Sequence, residues 1–594
     1  MTNTKDKGFV LVSTMLLITV LLAMMGAYFT TTRVELATTR STHNSIKGFY
    51  AAEAGLNLRA EEIRQVFVGY NRPDGTSPTE DEACEGSNLG SGDFACEVFD
   101  VGNHLATTYI TEEPDNPIIT TIPPGERYQN LNAQEYRYTV RSVASNSATE
   151  VEAILDLKFK SRLVPLFQFV AFYNKDLEIL PGPTMNLSGP VHTNGDLYLN
   201  AETALNITGQ VTTAGSLFRG RKNTNLCNSK PVTVKDPINP LSLVPSCSTR
   251  VTITNSQIVP YNGMIQMDVT SLTVPEPEAL DADPGRIYWD KADLRIVLEL
   301  DVGNNPIGIQ VRNNDDTIDN AKTTDLNTCP GLISGKVVNT GISFFNNREG
   351  KLIRMLEIDM VGLLNCIDDE SLFGAGKGLD DDSEGGIVFH FTVKGPDSAS
   401  TANNYGVRIR NADQLQGASG SPLVKGMTVV SDQAVYTHGH YNRTNKIPAA
   451  ILADSINILS TNWNLNDAAS LNPDTNTRIA ANTTVYTAIL AGTDTTGDIE
   501  GVGGQGGAYN GGLENYPRFH EKWTSKTLTY RGSFVSLNLP RHVSGKWIYG
   551  NPQYQAPNRN WDYDTDFNDA AKLPPLTPRF VYLSQELFVR EWEQ

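Results

Sequence analysis

The segment Gly8–Phe29 reads GFVLVSTMLLITVLLAMMGAYF, and it decides where the rest of the chain can reside. It contains no charged side chain. An α-helix rises ~1.5 Å per residue, so a run of this length can cross the ~30 Å hydrocarbon core of a membrane. The segment therefore predicts one membrane-spanning helix over residues 9–29, which anchors the rest of the chain.

The same helix is predicted to continue through residues 30–68. Apolar residues recur there at steps of three and four, which places them on one helical face: Phe49, Ala52, Leu56, Ala60, Ile63 and Phe67. No proline interrupts residues 9–68, so the pattern predicts a single helix of about 60 residues, ~90 Å long. Its first half is apolar all round and its second half is amphipathic, as expected of a helix that packs on its own head domain.

The residues before this helix carry a signature of their own. An ordinary secretory signal has its small-residue cleavage site after the apolar core, whereas here the small-residue junction lies before it, at Gly8–Phe9. This order resembles the class III leader of type IV pilins, which would comprise residues 1–8. The resemblance implies that a prepilin peptidase cuts after Gly8 and that Phe9 becomes an N-methylated N-terminus. An uncleaved signal anchor is the alternative.

Two further features refine the resemblance. The block AAEAGL, Ala51–Leu56, looks like the one found at this point in minor pilins of the PilX and GspK type. Ser13 is the fifth residue after the expected cut, where filament-forming pilins carry a glutamate. A buried carboxylate is costly unless it is paired, and tip subunits of the family also lack it. Ser13 therefore suggests a tip position; a tolerated polar residue in a membrane helix is the alternative.

The composition of the whole chain indicates a β-rich part beyond the helix. A chain of 594 residues suggests about two to four domains. A net charge of −19 argues against a globally electrostatic nucleic-acid binder and suits an exported surface. Its 49 glycines and 31 prolines, with short alternating runs, favour strands. The predicted fold is α+β: a long N-terminal pilin helix with a small antiparallel sheet, then a mostly β ectodomain.

All six cysteines lie beyond the membrane helix and form three neighbouring pairs. An even number in an oxidising, exported compartment suggests disulfides, and neighbour pairing is preferred among fifteen connectivities. The absence of any CxxC, with no histidine near a pair, disfavours a zinc site. The disulfide candidates are Cys84, Cys96, Cys227, Cys247, Cys329 and Cys366.

Residues 69–162 are predicted to form the head. Residues 69–134 are rich in Pro, Gly, Asn and Glu, which predicts a loop region. A disulfide between Cys84 and Cys96 would stabilise this loop region. The runs EYRYTVRSVAS and TEVEAILDLKFK then alternate apolar and polar residues, which predicts a half-buried β-hairpin. A long helix on a small antiparallel sheet is the head fold that the pilin resemblance implies.

An internal repeat comes after the head. Residues 185–204 and 205–224 align with a period of 20, with short strands separated by Gly and Asn. This pattern predicts β-solenoid coils over 163–225. A similar succession of short strands and turns in 425–463 predicts that coils continue over 421–496. Ordinary β-hairpins are the alternative. The repeat matches Asn186 with Asn206, Gly189 with Gly209, Val191 with Val211, Thr193 with Thr213, Gly195 with Gly215 and Leu197 with Leu217.

Residues 226–420 are predicted to form an inserted β-rich module between the coils. Three of its acidic clusters, at 281–285, 313–320 and 379–386, invite comparison with calcium loops. None has the spacing of an EF-hand, so solvated acidic turns are favoured, and no cofactor or metal is predicted. The alternating Asp562, Asp564 and Asp566 lack the EF-hand glycine as well.

Residues 497–594 begin with a glycine-rich tract and become rich in aromatic residues. The phrases GGLENYPRFHEKW and NRNWDYDTDF, like LPGPTMNLSGPVHTNGDLYL earlier, resemble signatures of large PilX-type pilus-assembly proteins. These aromatic residues are predicted to cap the solenoid, with a ligand surface as the alternative.

Enzymatic motifs are missing from the sequence. It has no HExxH, no GxSxG, no GxxxxGK and no GxGxxG opening a helix, so no catalytic residues are predicted. His438 and His440 form an HxH pattern without an identified third ligand.

One basic segment, residues 216–230, contrasts with the acidic chain. It contains four cations and no acid: Arg219, Arg221, Lys222 and Lys230. These side chains could engage phosphates, as the large DNA-binding minor pilins of naturally competent bacteria are thought to do. A solvated corner of the solenoid is the alternative.

Together these features predict a minor, tip-associated type IV pilin-like subunit, not a stand-alone soluble enzyme. The resemblance implies major and other minor pilins and a prepilin peptidase as partners. It also implies a single pass through the inner membrane with the C-terminus outside, and later a position at the pilus tip. Two alternatives are a DNA-binding minor pilin of a natural-transformation uptake pilus and a surface or glycan adhesin at the tip.

Overall fold

The computed structural model describes residues 6–68, 73–235, 240–332, 335–464, 474–493, 512–545 and 547–591. Contacts divide the chain into two compact units. The first, the head unit, comprises residues 1–118, 134–162 and 582–594; the second, the ectodomain unit, comprises 119–133 and 163–581. A long N-terminal helix thus precedes a large β-rich part, and the α+β class is confirmed.

The helices are α1 Asp6–Val68, α2 Asn255–Ile258, α3 Ile287–Asp290, α4 Asn320–Thr328 and α5 Met360–Glu370. The strands up to the end of the repeat are β1 Gly75–Thr76, β2 Ser91–Gly92, β3 Glu97–Val101, β4 His104–Glu112, β5 Ile118–Thr121, β6 Asn132–Asn146, β7 Val151–Pro165, β8 Ala171–Tyr173, β9 Leu177–Ile179, β10 Met185–Leu187, β11 Val191–Thr193, β12 Leu197–Leu199, β13 Leu205–Ile207, β14 Val211–Thr213 and β15 Leu217–Arg219.

The later strands are β16 Val232–Lys235, β17 Pro240–Ser242, β18 Val251–Thr252, β19 Ile265–Gln266, β20 Leu294–Leu300, β21 Pro306–Arg312, β22 Val338–Asn346, β23 Lys351–Asp359, β24 Ile387–Lys394, β25 Tyr405–Ala412, β26 Met427–Val430, β27 Ala434–Tyr441, β28 Ala449–Ala453, β29 Ser455–Leu459, β30 Thr483–Tyr486, β31 Ala488–Ala491, β32 Arg518–Phe519, β33 Thr527–Gly532, β34 Phe534–Ser536, β35 Asn558–Tyr563 and β36 Arg579–Glu591.

The head unit pairs α1 with a sheet whose strands have the order β3-β4-β6-β7-β36. The predicted hairpin is present as β6 and β7. The outer strand β36 comes from the other end of the chain, which the sequence did not predict.

The predicted apolar face of α1 packs on this sheet. Ala52, Leu56, Ala60, Ile63 and Phe67 are buried. The helix also approaches the sheet closely, because a Cβ built on Gly55 would lie 2.8 Å from the Cβ of Ala106 and from the Oγ of Ser142. Only glycine at position 55 allows α1 to approach the sheet this closely.

The 20-residue repeat is a structural repeat. Its two copies pair as parallel strands in register, with Met185 opposite Leu205, Val191 opposite Val211 and Leu197 opposite Leu217. The same spacing extends one turn earlier, because Ala171 pairs with Val191 and Leu177 with Leu197. Side chains stack along it as well: the Asn206 amide donates to the Asn186 Oδ1 at 2.9 Å.

The larger sheets are mixed. An 11-stranded sheet has the order β19-β14-β11-β8-β34-β31-β28-β26-β24-β20-β21. Most of its neighbours are parallel, but β20 and β21 are antiparallel, as are β15 with β18 and β16 with β17 in smaller sheets. The regular solenoid that the repeat predicts is therefore not what the structure shows. Strands β20 and β24, from the predicted insertion at 226–420, lie in this same sheet.

Three disulfides join Cys84 to Cys96, Cys227 to Cys247, and Cys329 to Cys366. This is the neighbour pairing that the sequence favours. The third links Cys329, at the end of α4, to α5.

Candidate assembly helix and ectodomain surfaces

The first half of α1 is uncovered. Its large apolar side chains between Phe9 and Phe29 are 49–78% exposed. The helix is long and apolar enough to cross a membrane by length and composition. Exposed apolar surface on this scale must be covered by lipid or by other helices.

The polar side chains of this half are satisfied inside the helix. The Ser13 hydroxyl lies 2.9 Å from the Phe9 carbonyl and 3.0 Å from that of Val10, and Thr14 makes equivalent contacts. Such hydrogen bonds remove the need for an external partner in an apolar medium. Residues 1–5 of the predicted leader lie outside the described residues, and cleavage between Gly8 and Phe9 stays a prediction.

The second half of α1 is fixed to the head by Arg59, which is 2% exposed. Its guanidinium pairs with Glu62 at 2.7 Å and Glu97 at 2.6 Å, and it donates to the carbonyls of Asp93 and Ala95 at 2.8 Å. Because these carbonyls lie beside Cys96, the disulfide-bonded loop is tied to the helix. Arg59 lies outside the apolar stripe, and the sequence pattern did not single it out.

The prediction that Arg219 is a surface cation able to bind phosphate is wrong. The side chain is fully buried, at 0% exposure. Its guanidinium donates to the Leu199 carbonyl at 3.2 Å, the Asn200 Oδ1 at 2.5 Å, the Asn228 carbonyl at 2.7 Å and the Lys230 carbonyl at 2.5 Å. Burial lowers its pKa to about 10. Arg219 therefore holds the chain segment after the repeat in place and cannot reach a phosphate.

Two of the other predicted cations are compensated by acids from earlier turns of the repeat. Arg221 pairs with Glu202 at 3.1 Å, and Lys222 pairs with Asp176 at 2.7 Å. Lys230 is exposed, and its carbonyl accepts from Arg219. The basic segment thus loses most of the local charge excess that its sequence suggests.

The acidic clusters are also ion-paired. Asp281 lies 2.5 Å from Arg541, and Asp381 lies 3.0 Å from Lys377. Lys446 contacts both Asp564, at 2.8 Å, and Asp566, at 2.7 Å. Within the described ranges, no group of three or more His, Cys, Asp or Glu residues is placed to hold a metal ion.

Three tryptophans near the end of the ectodomain unit are interior, whereas Tyr549 is exposed. Trp523, Trp547 and Trp561 are at most 3% exposed. Arg518 lies over the Trp547 ring at 4.8 Å, and Arg559 lies over Trp561 at 5.3 Å. These three rings are therefore packing groups, while Trp592 lies outside the described residues.

Buried carboxyl groups are a feature that the sequence did not predict. Burial raises the pKa of Glu178 and of Glu521 to about 7, and that of Glu514 to about 8. Glu521 accepts hydrogen bonds from the Ser460 hydroxyl at 2.6 Å and its amide at 2.7 Å. A single glutamate gives no signal of burial in the sequence, and none of the three was predicted to be buried.

Comparison with solved structures finds the competence-associated pilin ComZ from Thermus thermophilus similar to this chain. The sequence identity is 12%, the match covers 93% of this chain and 98% of that chain, and the TM-score is 0.26. A TM-score this low does not establish a common fold. No protein-family model matches the sequence, and no curated protein matches it.

Proposed function

We propose that this chain is a minor, tip-associated type IV pilin-like subunit that takes part in pilus assembly and displays a large β-rich domain. One observation carries the proposal: α1 begins as an exposed apolar helix and ends as a helix packed on its own antiparallel sheet. The first half can move from lipid to a bundle of similar helices without losing hydrogen bonds, since its hydroxyl groups bond to its own backbone.

The proposal includes processing at the N-terminus. A prepilin peptidase would remove residues 1–8, and Phe9 would be methylated. Before assembly the subunit would reside in the inner membrane, with the ectodomain unit outside; after assembly it would lie among other minor and major pilins.

Ser13 supports the tip position. Its hydroxyl is engaged by the carbonyls of its own helix, so it offers no negative charge to the N-terminal amine of a neighbouring subunit. A subunit at the end of a filament needs no such charge, because no subunit lies above it.

Processing is tested by incubating the full chain in detergent with a prepilin peptidase and measuring its mass. We expect loss of residues 1–8 from the wild type and retention of these residues in Gly8→Leu. Gly26→Ala is the matched control, because a Cβ at Gly26 meets no atom within 4 Å. A wild-type chain that keeps Met1 would identify an uncleaved anchor instead.

Position in the filament is tested by labelling the ectodomain unit on assembled pili with antibody and gold. Label at filament ends supports the tip assignment. Regular label along the shaft contradicts it.

A further inference from the structure

The two edge strands of the head sheet are protected to different extents. The sheet ends at β3 on one side and at β36 on the other, and among the described strands β36 has only β7 as a neighbour. An open edge presents unpaired backbone N–H and C=O groups, so natural sheets keep edge strands short or place charges on them. β3 follows this rule, because it has five residues and two of them are Glu97 and Asp100. β36, in contrast, has 13 residues.

The exposed part of β36 is apolar. Leu587, Phe588 and Val589 follow one another in the strand, and their side chains are 47%, 37% and 37% exposed. Because side chains alternate along a strand, Leu587 and Val589 point to one face of the sheet and Phe588 points to the other. The run from Gln585 to Arg590 contains no lysine, proline or glycine that would weaken pairing with a further strand. This edge therefore exposes apolar side chains on both faces.

The same edge adjoins α1 near the point where the helix leaves the sheet. The ring centroids of Phe588 and Phe49 lie 6.1 Å apart, and the Arg590 guanidinium lies 5.6 Å from the Phe49 ring. The Phe49 ring in turn lies 5.7 Å from that of Tyr50. Tyr50 and Ile46, one helical turn earlier, are both more than half exposed. The apolar surface of the edge thus continues onto the uncovered side of α1.

The position of this surface indicates which kind of partner covers it. In the proposed assembly, neighbouring subunits are anchored in the same membrane through their own first helices, so their heads lie on the same side of it as this head. A helix can cover apolar side chains, but only another strand also pairs with the backbone groups of an open edge. An edge strand in a neighbouring head satisfies both requirements.

We propose that the outer edge of β36 pairs with an apolar edge strand in the head of another pilin subunit, so that the two head sheets join across the subunit boundary. Cross-strand contacts to Leu587 and Val589 on one face, and to Phe588 on the other, stabilise this pairing. The pairing rests on the proposed role in pilus assembly and specifies how two heads meet.

The pairing is tested by amide hydrogen exchange. The full chain is co-expressed with the other minor and major pilins of the same organism, and complexes are isolated in detergent. Amides of residues 585–590 that point away from β7 should exchange about tenfold more slowly in the complex than in the chain alone, because pairing protects them.

The possible failures are distinguishable. A chain that enters pili but forms no such complex, or a complex in which these amides exchange as fast as in the chain alone, overturns the pairing and leaves the assembly role intact. Absence of the wild-type chain from pili overturns the assembly role and the pairing with it.

Variants connect the complex to this edge. Combining Leu587→Lys with Val589→Lys places two charges on the edge and should weaken the complex about tenfold or more. Both side chains are exposed, so the double variant should melt at the wild-type temperature. Val98→Lys is the matched control, because Val98 is exposed on β3 at the opposite edge, and it should leave the affinity unchanged. Wild-type affinity in the double variant, or loss of binding in Val98→Lys alone, overturns the proposal.

Discussion

Replacement of Arg219 by alanine should destabilise the ectodomain unit, although the sequence marks this residue as a surface cation. The guanidinium has four acceptors. The Leu199 carbonyl also accepts from the Gly220 amide, and the Asn200 Oδ1 from the Asn228 amide, so these two keep a partner. Among the hydrogen bonds of the described residues, the carbonyls of Asn228 and Lys230 depend on Arg219 alone.

The expected cost arises from those two carbonyls. A fully buried acceptor without a partner costs ~1–3 kcal/mol, but these two carbonyls are only partly buried, so water can replace part of the lost hydrogen bonding, and the lost packing of the buried arginine stem adds to the cost. We therefore expect Arg219→Ala to lower the free energy of unfolding by about 2–4 kcal/mol. Arg221→Ala, which breaks an ion pair with a 55% exposed Glu202 side chain, should cost less than about 1 kcal/mol.

The assay is urea unfolding monitored by tryptophan fluorescence, which reports mainly on the ectodomain unit because five of the six tryptophans lie in it: Trp289, Trp463, Trp523, Trp547 and Trp561. If Arg219→Ala unfolds within about 0.5 kcal/mol of the wild type, the assignment of Arg219 as a structural residue is refuted.

Three further outcomes are expected. Burial raises the folded pKa values of Glu178, Glu514 and Glu521 from 4.5 to about 7, 8 and 7. The folded state therefore binds more protons than the unfolded state in this range, and thermal stability should fall as the pH rises from about 4.5 to about 8; Glu514→Gln should weaken that dependence, and a flat profile would contradict it. Gly55→Leu should destabilise the head by about 1–3 kcal/mol, as seen by hydrogen exchange in β4, whereas Gly26→Ala should not. A stop codon at Arg579 should remove β36, and the amide hydrogens of β7 should then exchange faster because β7 loses its neighbouring strand. Unchanged amide protection in β7 would argue against the pairing of β7 with β36.

Local patterns made part of this structure predictable. The apolar stripe from Ala52 to Phe67 repeats with the period of a helix, and the residues of β6 and β7 alternate with the period of a strand. Each pattern is complete within one segment, so the sequence alone indicates the buried face. The repeat was recognisable for the same reason, since matching residues 20 positions apart occupy matching places in paired strands.

Long-range pairings were not predictable. The segment around Arg219 is basic in sequence, because its contacts come from earlier turns of the repeat. Arg219 donates to the Asn200 side chain, and Lys222 pairs with the Asp176 carboxylate. The register shift between Arg410 and Ala412 in the pairing of β25 with β27 is likewise indicated by no pattern within either strand. Similarly, β36 contains the short apolar runs FVYL and LFV, and nothing in them specifies β7 as its neighbour.

The position of β36 has a consequence for the order in which this protein can mature. A chain that crosses a membrane from its N-terminal end delivers α1 and β3 to β7 first, yet the sheet of the head lacks its outer strand until residues 579–591 have crossed as well. Completion of the head therefore waits for synthesis of the whole ectodomain unit. Under the proposed role in pilus assembly, a subunit whose head sheet is complete is one whose ectodomain unit has already been exported.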